Sequence, residues 1–315
     1  MGREGPIPRL VTAASLLVFL AGTADSPAFP ISSARWLAPG RIQQGLTTQL
    51  SECLVLPSGK AERQAVAIGR AAFRAPLLLG GQAARVGLSC ASCHRNGRGN
   101  PDLLFPGLSG APGTADVTSS LMSKHRGDGT VNPKPIPDLA ARPSAHRVPR
   151  DPQKVALPRF IRGLIVEEFD GPEPPPAVLA GLAAYVRAIR PEACAGEEAI
   201  NLDSMLAETE QAAAAAATSL AQRDRETALV LIAAARSTLG RIDERFRLPG
   251  LEPSRALLRT ADRELQSVRS SADPGRNIRQ WRRLWPAREA QLRRYEKRSL
   301  FSTRILSQHL PPSLN

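Results

Sequence analysis

The sequence predicts an all-α protein in two parts, a helical domain built around one Cys-x-x-Cys-His segment and a helical bundle that follows it. Three observations point there. Aromatic residues make up only 4% of the chain while alanine and leucine are plentiful, a balance that favours helices over a β-sandwich. Apolar residues recur at helical spacing over 60–73, over 176–189 and again beyond Pro191. Glycine and proline gather between those stretches rather than within them. With 315 residues the chain has room for about two domains and a sizeable core.

Taken in order, residues 1–24 read as a secretory signal. Arg3 and Arg9 precede an apolar run over 10–21, and Gly22-Thr23-Ala24 offers small residues for cleavage. The run is short for a membrane span; left uncleaved it would act as an amino-terminal anchor. Residues 25–59, with Pro27, Pro30, Pro39 and Pro57, read as an extended arm without chemistry that wraps the next domain. That domain, 60–195, opens with a helix over 60–73 that sets Ala65, Ile68, Ala72 and Phe73 on one side, with Pro76 beyond its end. Gly69 stands four residues before Phe73 and would let another helix cross closely. The expected partner is 176–189, where Val178, Leu182, Tyr185, Val186 and Ile189 share a face. Phe169-Asp170-Gly171-Pro172 and the prolines after it read as a stiff lead-in.

Between those helices lies Cys90-Ala91-Ser92-Cys93-His94. Two thiols three positions apart on a helical turn can add to the two vinyl groups of a haem, and the histidine that follows can give its imidazole to the iron. The pair can also be a zinc half-site or a redox dithiol. Zinc needs a second ligand pair, and Cys53 and Cys194 stand alone; a dithiol of the thioredoxin kind needs a βαβ setting. The residues therefore favour one covalent haem c held by Cys90 and Cys93, with His94 as proximal ligand. Attachment of this type takes place outside the cytoplasmic membrane, which agrees with the signal and predicts a periplasmic or exported protein. There Cys53 and Cys194 either bridge or remain as buried free thiols.

The stretch after the motif, with Gly97, Gly99, Pro101, Pro106, Gly107, Gly110, Pro112 and Gly113, can wrap a flat ligand closely. Candidates for the sixth iron position are Met122, then an open site, then His125, with His146 further on. A thioether would raise the reduction potential, and an open position would admit peroxide or a small gas. Against ligation, Met122 can be simple packing, and His125 between Lys124 and Arg126 a solvated loop residue. Arg95, Arg98, Lys124, Arg126 and Lys134 can neutralise haem propionates, meet an acidic partner or stand in solvent.

The order of a Gly-x-x-x-Phe helix, Cys-x-x-Cys-His, a proline-rich middle and a closing Leu-x-x-Tyr-Val helix resembles the cytochrome c domain. The long approach to the motif, with Leu77-Leu78-Leu79-Gly80-Gly81 and Gly87-Leu88-Ser89, is more similar to the haem domains of bacterial di-haem cytochrome c peroxidases. So is Ala115-Asp116-Val117-Thr118-Ser119-Ser120-Leu121. The resemblance spans about 60–192 and implies a cytochrome c-like haem domain. Members of that family carry two haem motifs and this chain carries one, so their peroxidase activity does not transfer with the likeness.

From 197 to 315 the chain reads as a basic helical domain. Leu229, Ile232, Leu239, Ile242 and Phe246, and then Leu257, Ala261, Leu265 and Val268, recur near heptad spacing. Pro249-Gly250 and Pro274-Gly275 punctuate them, with Ser254 and Asp273 near helix starts. Ile278, Trp281 and Trp285 belong to a further helix that Pro286 is expected to break or kink. The alanines after Gln211 read as helix-favouring filler. The formal charge is +13, and basic residues crowd the tail from Arg276 onward. That suits an acidic redox protein or an anionic membrane surface, or simply a solvated helix face; nucleic acid does not fit an exported haem protein. The expected function is an exported mono-haem c-type cytochrome that transfers single electrons. The alternative is a haem peroxidase-like oxidoreductase with an open or weakly held distal site, and a third reading makes the bundle the working part.

Overall fold

The computed structural model describes residues 1–2, 29–119, 121–125, 127–142 and 147–312. The signal stretch, Arg126 and His146 lie outside the described residues. The protein is mostly helical, 56% helix and 5% strand, as an all-α chain should be.

In chain order, a 3₁₀ turn at Ser32–Trp36 leads to α1 (Ile42–Thr47), β1 (Thr48–Leu50) and α2 (Lys60–Ala72). After them come α3 (Gly81–Val86), α4 (Cys90–Cys93) and two short paired strands, β2 (Thr114–Ala115) and β3 (Lys134–Pro135). Next are α5 (Ala156–Gly163), which runs on into a π-helical turn over Leu164–Glu168, α6 (Pro176–Ala188) and β4 (Glu197–Ala199). The bundle consists of α7 (Leu202–Ala221), α8 (Arg225–Arg245), α9 (Glu252–Val268), α10 (Pro274–Arg293) and the short α11 (Thr303–His309).

The helix expected over 60–73 is α2, and it crosses α6 as Gly69 anticipates. A Cβ added to Gly69 would stand 1.9 Å from the Gly181 carbonyl oxygen, and one added to Gly181 would stand 2.9 Å from the Ala65 oxygen and the Gly69 nitrogen. The two backbones therefore touch, which only a pair of glycines permits. Val66, Ile68 and Ala72 on α2 and Val178, Leu182 and Tyr185 on α6 are buried around this point. Phe73, just past the end of α2, meets the Tyr185 ring edge-on at 5.1 Å.

The bundle is started by side chains that accept from otherwise unpartnered helix N–H groups. Asn201 accepts from Ser204 at 2.8 Å, Asp224 from Thr227 at 3.0 Å and Asp273 from Arg276 at 2.8 Å. Ser254 sits in the first turn of α9, near its start as expected, and is buried. One expectation needs correcting. Pro286 does not end its helix: α10 continues to Arg293. Trp281 and Trp285 are both buried, stacked at 4.7 Å, and Trp281 donates to the Ala261 carbonyl at 3.0 Å. Burial of two indoles outweighs the one backbone hydrogen bond that proline forfeits. The alanine run is also more than filler. Ala212, Ala213, Ala215 and Ala216 are buried where α7 packs on α8, itself lined by Ala228, Ala234 and Ala235. Small residues on both helices bring the axes close.

The two helical parts share one core, because α2 packs on α7 and α8 as well as on α6. Residues 29–59 strap them together rather than merely trailing along one. β1 pairs antiparallel with β4 through Thr48–Ala199 and Gln49–Glu198, and a disulfide joins Cys53 to Cys194. Ile31, Leu37, Ile42 and Leu46 meanwhile pack against Leu300, Leu306 and Leu310 at the far end of the chain. Of the basic residues in the tail, Arg282, Arg288 and Arg293 are tied to Glu210, Glu264 and Asp203, so they hold helices together. Arg276, Arg279, Arg283 and Arg294 remain exposed. No described helix is long and apolar enough to cross a membrane.

Gly69→Ala is expected to destabilise the fold by at least about 3 kcal/mol, the upper range for overpacking, because backbone must move to admit the methyl. Gly163→Ala, where an added Cβ meets nothing within 4 Å, should be neutral or gain up to about 1 kcal/mol. Urea unfolding of the two variants checks the contrast; equal losses would deny the Gly69–Gly181 crossing its role.

Candidate functional site

α4 is a single turn, too short to stand alone, and it is fixed from several sides. Ser89 and Ser92 form a capping box, in which the Ser89 N–H donates to Ser92 Oγ at 3.0 Å. The Ala91 N–H donates to the Phe73 carbonyl at 3.0 Å, which hangs the turn from the end of α2. Asn100 donates to the Ser92 carbonyl at 2.8 Å. Gly97 follows with φ +69°, and a Cβ there would stand 2.2 Å from Ile189 Cδ1, so the exit from the turn passes hard against the end of α6. Cys90, Cys93 and His94 are thereby presented on one short segment seated beside the α2–α6 crossing.

Cys90 and Cys93 are free thiols, half-buried and packed against the apolar core. Burial pushes both pKa values up to about 12. A redox dithiol depends on the opposite shift, and Cys53 and Cys194, being bonded to each other, are not on hand as a second pair of zinc ligands. The His94 ring lies 6.3 Å from the Phe73 ring. Its Nδ1 is 3.1 Å from the Pro137 carbonyl oxygen; a carbonyl only accepts, so Nδ1 carries the proton and Nε2 keeps its lone pair. Burial, opposed by that hydrogen bond and by Asp138, brings the His94 pKa down to about 4. The ring is therefore neutral at physiological pH, the form in which imidazole binds a metal.

Pro137 was not among the residues that the sequence singled out, and what places it is tertiary. β2 pairs with β3 through Thr114–Pro135 and Ala115–Lys134, and the Ile136 N–H donates to the Gly113 carbonyl at 2.9 Å. Arg98 then clamps Asp138 with Nε at 2.9 Å and Nη2 at 2.8 Å. It also donates to Cys53 Sγ at 3.1 Å. The loop that carries Pro137, the exit from the Cys90–Cys93 turn and the disulfide are thus linked through one guanidinium.

Met122 is 2% exposed and belongs to the same core as Phe73 and Tyr185. Its loop is fastened on either side: the Met122 N–H donates to the Ser119 carbonyl, Ser123 Oγ donates to the Glu167 carbonyl, and the Lys124 N–H donates to Asp170. His125 is instead 68% exposed and 3.8 Å from Asp170. Of the basic residues, Arg95 donates to the Gly45 carbonyl at 2.9 Å and Arg98 pairs with Asp138, while Lys124 and Lys134 are exposed. The first two are structural ties rather than solvated charges.

Compared with known proteins, the chain matches no family model, no curated protein and no solved structure.

Beside the site runs a buried ionic network that no local pattern in the chain marks. Glu52 pairs with Arg70 at 2.5 Å and Arg74 at 3.0 Å, and Tyr185 donates its phenol to the same carboxylate at 2.6 Å. Arg74 continues to Glu208 at 3.3 Å and to Asn96 at 3.2 Å. Arm, α2 and α6 therefore meet at the Glu52 carboxylate, and α7 and the exit from the Cys90–Cys93 turn join the same network through Arg74. Burial alone would raise its pKa, but Arg74 and Arg70 with the hydrogen bonds from Arg70 and Tyr185 outweigh that and hold Glu52 at about 2.

Because the folded pKa of Glu52 is depressed below its ordinary 4.5, the carboxylate contributes stability that is complete above about pH 4.5 and lost as pH falls toward 2. Acid unfolding of wild type is expected to steepen in that window. Glu52→Gln should be less stable at pH 7 by about 3 kcal/mol or more, since it strands buried cations, and should show a flatter acid limb. Matching pH profiles for the two proteins would exclude the network as an acid-sensitive tie.

Proposed function

We propose that the protein is an exported mono-haem c-type cytochrome that transfers single electrons. In this reading residues 60–195 form a cytochrome c-like haem domain and 197–315 a helical extension that turns a basic face to an acidic redox partner or an anionic membrane surface. The observation that carries it is the donor set on one turn: two free thiols, Cys90 and Cys93, followed by a neutral imidazole whose Nδ1 is committed to Pro137. That set fits covalent haem. When bound, the haem supplies a one-electron iron couple.

Each residue then has a physical task. Cys90 and Cys93 would hold the group by thioether bonds. His94 would offer Nε2 to the iron, its orientation fixed by the Pro137 carbonyl, a hydrogen bond that also raises the basicity of the ligand nitrogen. Arg98 and Asp138 keep that carbonyl in place. Phe73, Tyr185 and their neighbours keep the surroundings apolar and dry, which disfavours the more highly charged oxidised state and raises the potential. Met122 is the residue proposed for the sixth position; its burial in the same core and the fastening of its loop support that role, whereas the exposure of His125 argues against it as a ligand. The peroxidase-like alternative differs in this one position, an open site in place of the thioether.

Produced with the haem-attachment machinery, wild type is expected to retain haem after denaturation, seen as a pyridine haemochrome spectrum of the c type. Cys90→Ala with Cys93→Ala should retain none. Haem-free wild type under those conditions would end the proposal.

Met122→Ala separates the two readings. If the thioether ligates, the variant should lose the six-coordinate low-spin ferric spectrum, show a reduction potential lower by roughly 100 mV or more, and react with peroxide. An unchanged spectrum and potential would assign Met122 to packing and favour the peroxidase-like reading.

A further inference from the structure

Behind the haem segment lies a cavity of about 710 Å³, walled on one side by Ser89, Ala91 and Ser92 and on the other by α7 and α8. Cys90, Cys93 and His94 do not line it. The cavity is thus not lined by the residues that present the thiols and imidazole.

Its walls carry six arginines against four glutamates, and the pairing is uneven. Glu52 and Glu208 are taken up by Arg70, Arg74 and Arg241. Glu198 accepts from Gln49 and Asn96, and Glu244 from the Ser32 N–H at 3.3 Å. Arg245 is 6% exposed and donates to two carbonyl oxygens, those of Leu300 at 2.9 Å and Leu46 at 2.7 Å. Arg95 likewise donates to the carbonyls of Gly45 and Thr48. Among the described residues neither has a carboxylate within ion-pair distance.

A guanidinium has five N–H donors, so both arginines keep donors after these bonds. Burial and the neighbouring Arg241 push the Arg245 pKa down to about 10, despite Glu244 nearby, yet it stays charged at neutral pH. Buried cations held by neutral carbonyls and repelling one another are costly. An oxyanion in the cavity would accept from the spare N–H groups and offset the repulsion, in the forked geometry that guanidinium favours for carboxylate and phosphate.

We infer that this cavity, between the back of the Cys90–Cys93 turn and the start of the helical extension, is a binding site for a small dianion of the phosphate or dicarboxylate class. The site does not rest on the haem reading, because none of the residues that would bind the anion is a proposed haem ligand.

The test is isothermal titration of the full-length protein at low ionic strength with inorganic phosphate and, separately, with succinate. One saturable site is expected, and the tighter of the two probes assigns the class. Arg95→Gln and Arg245→Gln, which remove the two guanidinium groups without a carboxylate partner, should each weaken binding by about tenfold, the loss expected for a charged hydrogen bond. Arg263→Gln, exposed on α9 and away from the cavity, should leave it unchanged. Circular dichroism confirms that each variant folds; should Arg245→Gln, the more buried position, not fold, Arg95→Gln alone decides. No saturable binding of either dianion, wild-type affinity in the cavity variants, or equal weakening by Arg263→Gln would overturn the site.

Discussion

Two helices can bring their backbones into contact only where neither carries a side chain, and Gly69 and Gly181 meet that condition on facing helices. The rest of the site follows from the closeness they allow. With the axes drawn together, Phe73 and Tyr185 fall edge to face just beyond the crossing. The carbonyl of Phe73 is left to take the Ala91 N–H, and the exit from the Cys-x-x-Cys-His turn fits against Ile189 through Gly97. A four-residue turn has little stability of its own; it borrows its position from the crossing.

Electrostatics adds a second layer of positioning around that contact. Glu52 gathers Arg70, Arg74 and the Tyr185 phenol at one buried point, and Arg98 joins Asp138 to the Cys53 sulfur. Such groups are worth little as isolated pairs, but breaking one strands the others in low dielectric. The network therefore specifies how the arm, the Cys-x-x-Cys-His turn and the bundle sit against one another more than it adds net stability. The disulfide between Cys53 and Cys194 closes the same seam covalently, next to the β1–β4 pairing.

The bundle is not an appendage on a flexible tether. α7 and α8 pack on α2, the arm reaches the last helix, and the charged cavity lies where the two parts face each other. The basic outer side of α10 is connected to the Cys90–Cys93 turn through the shared core, and an anion held in the cavity would lie between that turn and the bundle. Arginine, abundant in the sequence, turns out to serve three ends: glue between helices at Arg282 and Arg288, clamps on loops at Arg95 and Arg98, and exposed charge at Arg279 and Arg283.

Much of this was legible in the chain because it depends on local pattern. Helical periodicity marks α2, α6 and the bundle helices; Gly69 marks a close crossing; Cys90, Cys93 and His94 mark a site by residue type and spacing alone, since all three sit on one turn. What could not be read is what long-range packing chooses. Nothing near Pro137 in sequence identifies it as the acceptor for His94, because a β2–β3 pairing brings it there. Pro286 reads as a helix breaker until the burial of Trp281 and Trp285 outweighs it. Buried ion pairs such as Glu52 with Arg74 look like any surface charges until five segments enclose them. Local spacing fixes which chemistry a turn can carry, while the partners that orient and desolvate it come from parts of the chain whose distance in sequence bears no relation to their distance in space.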